Sequence, residues 1–305
     1  MARALIIGLG SFVGRYLAEH LQQCGDDVHG SVHQQRPDSP FPCHQLDVGD
    51  AAAVQALVAQ LKPEHIYHLA GITRPALGDN MAFYRVNMLG SLHVLEAAQA
   101  QGCRLLLVSS AYVYGRADSA LRETMPLAPV NAYGASKAAA DIAAISYALS
   151  GLEVIRVRPF NHSGPGQSPD FVLPSLVTQV ARIEAGQAPP QLKLGNLESV
   201  RDFSDVRDVV RAYRLLMAHG QSGEAYNVAS GRGVSIRQLA EMVMAASRLP
   251  LRLEVEASRQ RPQDIPYLLG DIHKLQQATG WQQDYRLEQT LEDMLTYARA
   301  QQSKP

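Results

Sequence analysis

An α/β fold, built as a doubly wound parallel sheet with a smaller C-terminal α/β lobe, is what this sequence predicts. Three observations carry that expectation. The chain opens with an apolar run, Ala4-Leu5-Ile6-Ile7, which meets a glycine cluster, Gly8-Leu9-Gly10-Ser11-Phe12-Val13-Gly14, and an amphipathic segment through Leu21. That order reads as a buried strand, a tight turn and a helix. Apolar runs then alternate with helical patterns as far as Arg158, as they do where parallel strands are joined by right-handed crossovers. After Arg158 the texture changes to loops rich in Gly and Pro, with irregular helices and short strands.

Each element follows from its pattern. Strands are expected at Val28–Val32, His44–Val48, His65–Leu69, Arg104–Ser109 and Glu153–Arg158, and helices at Ala51–Leu61, Tyr84–Gln101 and Ala132–Ser150. Pro159 to Gln167 reads as a loop, followed by a helix near Val172–Ala185 and a short strand at Leu192–Leu194. Asp205–His219 reads as a further helix, and Ala225–Val228 as a strand that rejoins the sheet. The result is a Rossmann-type sheet. Such sheets bind ligands at the carboxyl ends of their strands. The loops after Gly8, Asp47, Leu69, Ser109 and Arg158 are therefore expected to converge on one cleft.

Composition sets bounds on function. The chain has 305 residues, a hydrophobic content of 46% and a net charge of −1. A substantial core is available, and there is no global pull toward nucleic acid or an anionic membrane. The three cysteines, Cys24, Cys43 and Cys103, are far apart and odd in number, so they read as reduced thiols rather than a metal site or a disulfide framework. No signal-peptide pattern precedes the first strand, and no apolar stretch is long enough to span a bilayer. A cytoplasmic protein without metal is the expectation.

Candidate chemistry gathers in two places. In the run Asn131-Ala132-Tyr133-Gly134-Ala135-Ser136-Lys137, the phenol and the ammonium are four residues apart, on one face of the expected helix. A cation nearby favours phenolate, so Tyr133 is expected to have a lowered pKa and to pass a proton at neutral pH. An ordinary surface pair is the bland alternative. The second place is the glycine turn. There Gly8, Gly10 and Gly14 allow a pyrophosphate to approach backbone at a helix N-terminus.

Other residues complete the expected site. In Val108-Ser109-Ser110-Ala111-Tyr112-Val113-Tyr114-Gly115, Ser110 is expected to hydrogen-bond a substrate oxygen and Ser109 to serve the turn. Asp47 and Val48 could border an adenine ring, with a helix cap as the alternative role for Asp47. Leu69, Ala70 and Gly71 leave room for a cofactor to pass, and the preceding His68 reads as a packed histidine.

The set GLGSFVG, LDV, HLAG, SSAYVYG, YGASK and RPFNHSGPGQ resembles the extended short-chain dehydrogenase/reductase family, over essentially the whole chain. The stretches RPFNHSGPGQSPDFVLPS, LGNLESVRDFSDVRDVVRAY and RQRPQDIPYLLGD are most similar to its GDP-4-keto-6-deoxy-D-mannose reductases, which form GDP-D-rhamnose.

That resemblance implies roles. Tyr133 would be the general acid, Lys137 its electrostatic partner and ribose ligand, and Ser110 the donor to the substrate carbonyl. Gly8, Gly10, Ser11, Phe12, Val13 and Gly14 would line the pyrophosphate, with Leu69, Ala70, Gly71 and Pro159 along the cofactor's path. Asn161, Val172, Arg201 and Arg261 would hold the sugar nucleotide, the arginines because a planar fork pairs bidentately with a diphosphate. Surface salt bridges are the alternative for Arg201 and Arg261, with Asp202 and Asp264 close by in sequence, and that reading weighs more for Arg207.

The resemblance also implies a division of the chain. Residues 1–160 with about 196–230 would bind NAD(P), and residues 161–195 with 231–305 would bind the sugar nucleotide. A homodimer is implied as well, formed by helices such as Tyr84–Gln101 and the Tyr133 helix.

Two departures stand out. Ser11 replaces the usual middle glycine of the turn. Tyr112 stands where related dehydratases carry an acid that takes a proton from the sugar, which argues for a reductase over a complete 4,6-dehydratase. After the second strand, His29 to Arg36 contains no carboxylate to bond a ribose 2′-hydroxyl. Ser31, His33 and Arg36 could instead accommodate a 2′-phosphate, so NADPH is expected, with NADH the alternative. A nucleotide-sugar 4-epimerase, or a cofactor-binding protein without turnover, are the competing readings.

Overall fold

The computed structural model describes residues 1–33, 39–73, 79–256 and 265–302. β1 (Arg3–Ile7) turns into α1 (Phe12–Gln23), followed by β2 (Asp27–Val32), β3 (Cys43–Gln45), α2 (Ala51–Leu61) and β4 (His65–His68). A short α3 (Met81–Phe83), a π-helical stretch (Tyr84–Leu89) and α4 (Gly90–Gln101) lead to β5 (Arg104–Val108), α5 (Ala132–Leu149) and β6 (Val154–Pro159). Polar side chains start these helices: Asp50 accepts from Ala53 N at 3.0 Å, and Asn131 from Gly134 N at 2.8 Å, which satisfies amides that have no partner within the helix.

The remainder comprises β7 (Asn161–Ser163), α6 (Val172–Glu184), β8 (Gln191–Leu194), β9 (Val200–Asp205) and α7 (Val206–His219). It continues with β10 (Ala225–Val228), β11 (Gly233–Ser235), α8 (Ile236–Ala245), β12 (Arg252–Val255), β13 (Tyr267–Leu268), α9 (His273–Thr279) and α10 (Leu287–Gln302). The main sheet has seven strands in the order β3-β2-β1-β4-β5-β6-β10, and every pairing is parallel. Strand order reverses between β1 and β4, which opens a crevice at their carboxyl ends.

Apolar side chains fill both faces of this sheet. Leu17 and Leu21 of α1 pack with Val209, Tyr213 and Leu216 of α7 on one side. Val54 and Leu57 of α2 pack with Val94 and Leu95 of α4 on the other. A third core joins Leu173 and Leu176 of α6 to Leu239 of α8 and Leu291 of α10. It lies beside a small sheet in which β9 pairs with β7, β11 and β13.

The expected strands of the first half and the expected helices recur within a few residues at their ends. Two differences concern pattern. Tyr84–Leu89, read as ordinary helix, is wound as a π-helix, a form that often marks functional sites. β7 and β9 fall where no strand was expected. Val200–Asp205 is polar in sequence, yet Arg201, Asp202, Ser204 and Asp205 are all buried. A hydrophobic pattern cannot reveal a strand whose buried positions are charged. Among the described residues, no helix is long and apolar enough to cross a membrane.

Candidate active site

A cleft of about 1170 Å³ opens at the carboxyl ends of the main strands and runs toward the small sheet. Its walls bring together Ser11, Phe12 and Val13 after β1, Leu69 and Gly71 after β4, Ser110 and Tyr112 after β5, Pro159 at the end of β6 and Asn161 at the start of β7. Tyr133 and Lys137 of α5 also line it, with Val172 and Arg201 at the far end.

The glycine turn is shaped for close approach. Gly8 has φ +99°, and a Cβ there would come 2.8 Å from the Ala70 nitrogen. A Cβ on Gly14 would meet the Gly8 and Leu9 carbonyl oxygens at 2.4 and 2.6 Å. Ser11 fits its place because its φ of −72° suits any L-residue. Its hydroxyl accepts from Gly14 N at 3.0 Å and caps α1. The turn thus brings bare backbone to the N-terminus of α1, a kind of place that suits an anion such as a pyrophosphate. Ser31 is buried, and its carbonyl accepts from Gly8 N and Leu9 N at 3.2 and 2.9 Å.

His33 is exposed at the end of β2, and Arg36 lies outside the described residues. Asp47 is exposed and accepts from Gly49 N at 2.8 Å, while Asp50 caps α2. Val48 is buried against Gly90, whose Cβ would come 2.7 Å from its side chain. His33, Asp47 and Val48 lie outside the walls of the cleft just described.

α5 is locked to the sheet beneath it. Asp141, fully buried, accepts from Arg156 at 2.6 Å and from Arg158 at 2.9 and 3.0 Å. Burial alone would raise this carboxyl's pKa; the bonds and charges of the arginines outweigh it and hold the group below its usual range. Breaking such a buried pair costs about 3–5 kcal/mol, so α5 keeps a fixed seat. Asn87 of the π-helix, which sequence reasoning did not single out, adds a second tie. It accepts from Ile72 N at 2.8 Å and donates to Ile72 O and Ser136 Oγ at 3.0 and 3.1 Å. The tie couples the loop after β4 to the helix that carries Tyr133. Its only signal in sequence was a polar residue that helical spacing would bury.

Lys137 is 6% exposed, and its ammonium donates to Val108 O at 2.8 Å. Burial pulls its pKa down to about 8, against the attraction of Asp141. Ser110 Oγ accepts from Tyr112 N at 3.2 Å and lies close enough to the Tyr133 phenol to favour its charged form. One hydroxyl therefore serves both the turn and the site, while Ser109 is buried with its amide bonded to Val157 O at 2.8 Å.

The expected lowering of the Tyr133 pKa is corrected. Burial raises it, and the nearby Ser110 hydroxyl offsets only part of that. The phenol stays protonated at neutral pH, the form a general acid requires. His68 is a packed histidine, bonded to Ser91 Oγ at 2.9 Å and pushed down to about 3 by burial.

At the far end, Asn161 holds a buried side-chain oxygen without a hydrogen-bond partner. Arg201 is 5% exposed and donates to Val200 O at 2.9 Å. Its neighbour Asp202 does not serve as its counter-ion by adjacency. Successive residues of a strand face opposite ways, and Asp202 accepts from Ser230 N, Ser230 Oγ and Gly231 N at 2.7, 2.6 and 3.0 Å. Arg207 is bound to Asp205 and Asp293, at 2.7 Å each, and its guanidinium lies 3.8 Å from the Tyr285 ring centre. Arg261 and Asp264 lie outside the described residues. Among the described residues, no cluster suits a metal ion.

Known proteins share this architecture. A GDP-6-deoxy-D-mannose reductase from Pseudomonas aeruginosa is 33% identical, covering 96% of this chain and 96% of its own. A GDP-6-deoxy-D-talose 4-dehydrogenase from Aggregatibacter actinomycetemcomitans is 29% identical, covering 93% and 92%. The structure of RMD from Pseudomonas aeruginosa complexed with NADPH matches with a TM-score of 0.86 at 31% identity, over 99% of both chains. UDP-glucose 4-epimerase from Thermus thermophilus, in complex with NAD, matches with a TM-score of 0.87 at 26% identity, over 97% of this chain and 99% of that one. A family model described as GDP-mannose 4,6 dehydratase matches residues 5–294. With the glycine turn and the Ser110–Tyr133–Lys137 site at the mouth of one parallel sheet, the chain belongs to the GDP-mannose 4,6-dehydratase family.

Proposed function

We propose that the protein reduces the C4 ketone of a GDP-linked 4-keto-6-deoxy-hexose with NADPH, converting GDP-4-keto-6-deoxy-D-mannose to GDP-D-rhamnose. The observation that carries this reading is that Ser110, Tyr133 and Lys137 line one cleft, with Tyr112 rather than a carboxylate against the Tyr133 ring. NADPH, when bound, supplies the hydride. Tyr133 gives its proton to the carbonyl oxygen as charge develops there, and Ser110 donates to the same oxygen. Lys137 holds a positive charge close by and would bind the nicotinamide ribose. Tyr112 is a poor base for removing a carbon-bound proton, so the chain is a reductase and not a complete dehydratase.

The cofactor would lie on Gly8, Gly10, Ser11, Phe12, Val13 and Gly14, pass Leu69, Ala70, Gly71 and Pro159, and place its adenine near Asp47 and Val48. Ser31, His33 and Arg36 would receive the 2′-phosphate. Asn161, Val172, Arg201 and Arg261 would hold the sugar nucleotide, in a lobe made of residues 161–195 and 231–305. The exposed apolar side chains Ile142, Ile145 and Leu149 share one face of α5, and a second copy of the chain covers them in a homodimer. The unpaired thiols of Cys24, Cys43 and Cys103 suit a cytoplasmic setting.

The test is direct. The protein is mixed with GDP-4-keto-6-deoxy-D-mannose and either NADPH or NADH, nicotinamide absorbance is followed, and the product sugar is identified by NMR. Oxidation of NADPH at a higher initial rate than NADH, with GDP-D-rhamnose formed, is the expected result. Formation of a 4-keto sugar from GDP-mannose without added cofactor would instead establish a dehydratase.

A further inference from the structure

Tyr133 meets two aromatic rings that come from separate segments of the chain. Phe83, at the end of α3, meets it with ring centres 5.9 Å apart and planes at 62°. Tyr112, in the turn after β5, meets it at 6.0 Å and 71°. Edge-to-face pairs at such separations are a favoured aromatic geometry. Phe83 is 7% exposed and Tyr112 partly buried, and both line the cleft. The Tyr112 backbone is also pressed onto α5, because a Cβ on Gly134 would come 2.5 Å from the Tyr112 carbonyl oxygen. Phe83 leads into the π-helix that Asn87 ties to Ser136 of α5. Both rings are thus anchored to the helix whose tyrosine they touch.

We propose that Phe83 and Tyr112 are positioning residues for the general acid, a clamp of two rings that keeps the Tyr133 phenol aimed at Ser110 and the substrate carbonyl and screens it from water. The proposal rests on the reductase reading. A tyrosine ring held at one edge only can swing about its side-chain torsions. Clamped from two sides, its hydroxyl keeps one position, and small displacements of a reacting group are costly. The same two rings account for part of the burial that keeps the phenol protonated. The titratable groups facing it are Tyr112 from the turn and Tyr213 from α7, with Lys137 one turn along its own helix.

The experiment compares wild type with Phe83→Leu, Tyr112→Leu and Tyr112→Phe. Turnover of the 4-keto sugar with NADPH is measured across pH. Phenolate formation is followed by ultraviolet difference titration without substrate, with Tyr133→Phe subtracted to isolate the Tyr133 step. Phe83→Leu leaves the number of tyrosines unchanged. It should lower kcat about tenfold or more, bring the Tyr133 ionisation down toward the ordinary tyrosine range, and spare NADPH affinity. Tyr112→Leu should lower kcat similarly, and Tyr112→Phe should recover most of that loss, because the ring and not the hydroxyl does the holding. The clamp is overturned if Phe83→Leu keeps wild-type kcat and titration, or if Tyr112→Phe is as damaging as Tyr112→Leu. A wild type that fails to reduce the 4-keto sugar would overturn the reductase reading, and the titration would still decide on the clamp.

Discussion

The ammonium of Lys137 donates to the carbonyl oxygen of Val108 at 2.8 Å, so α5 is hooked to the last residue of β5. The next residues along are Ser109 and Ser110. One bond thereby ties the helix that carries Tyr133 to the turn that carries Ser110. Gly71 closes the other side, since a Cβ there would come 3.3 Å from the same nitrogen.

Tyr133→Phe removes the hydroxyl and leaves both ring contacts. Turnover should fall by roughly 10²–10⁴-fold, the usual worth of general acid catalysis, while NADPH affinity in a fluorescence titration stays close to wild type. Turnover near the wild-type value would move the proton donor to Tyr112 or to water.

Lys137 carries its charge below about pH 8 and loses it above. As pH rises through that value, the positive charge beside the site disappears and cofactor binding weakens. In kcat/KM, which reports the free enzyme, wild type should therefore decline above about pH 8. Lys137→Met should be slow and weak in NADPH binding, and its profile should lack that decline. The same alkaline limb in the variant would assign it to another group.

Gly14→Ala places a methyl group 2.4 Å from the Gly8 carbonyl oxygen and 2.6 Å from that of Leu9. Backbone on both sides leaves nothing to swing aside, and overpacking of this kind costs typically about 1–3 kcal/mol. A lower Tm is expected, together with a loss of NADPH affinity larger than any loss of GDP-sugar affinity. Calorimetric titration of both ligands checks it, and a variant with wild-type Tm and affinities would show that the turn is not under this constraint.

Arg201→Ala should weaken GDP-sugar binding and spare NADPH, because Arg201 lines the cleft from β9 of the small sheet and not from the glycine turn. A hydrogen bond to a charged group contributes about 1.5–3 kcal/mol, and the affinity should drop accordingly. Equal loss of both ligands would mark a folding defect instead.

Ile145→Glu and Leu149→Glu put charges on the apolar face of α5, where Ile142, Ile145 and Leu149 are 55%, 38% and 86% exposed. Light scattering coupled to gel filtration should find wild type as a dimer and the double variant as a monomer. An unchanged mass would place any subunit contact elsewhere.

Sequence alone determined the periodic part of this protein. The runs Ala4–Ile7 and Arg104–Ser109 are apolar because both faces of the main sheet are covered, and such strands announce themselves. Glycines declared the turn, since only residues without a side chain tolerate the approach seen at Gly8 and Gly14. The i, i+4 spacing put Tyr133 and Lys137 on one helical face.

Tertiary structure decided the rest. The strand Val200–Asp205 was invisible because its buried positions are charged and are satisfied by partners distant in sequence, as Asp202 is by Ser230 and Gly231. Asn87 became a tie only when folding brought Ile72 and Ser136 to it. The ionisation of Tyr133 went the opposite way from its local expectation. Spacing reports a nearby cation, whereas the pKa answers first to burial, and the rings of Phe83 and Tyr112 pack against this phenol.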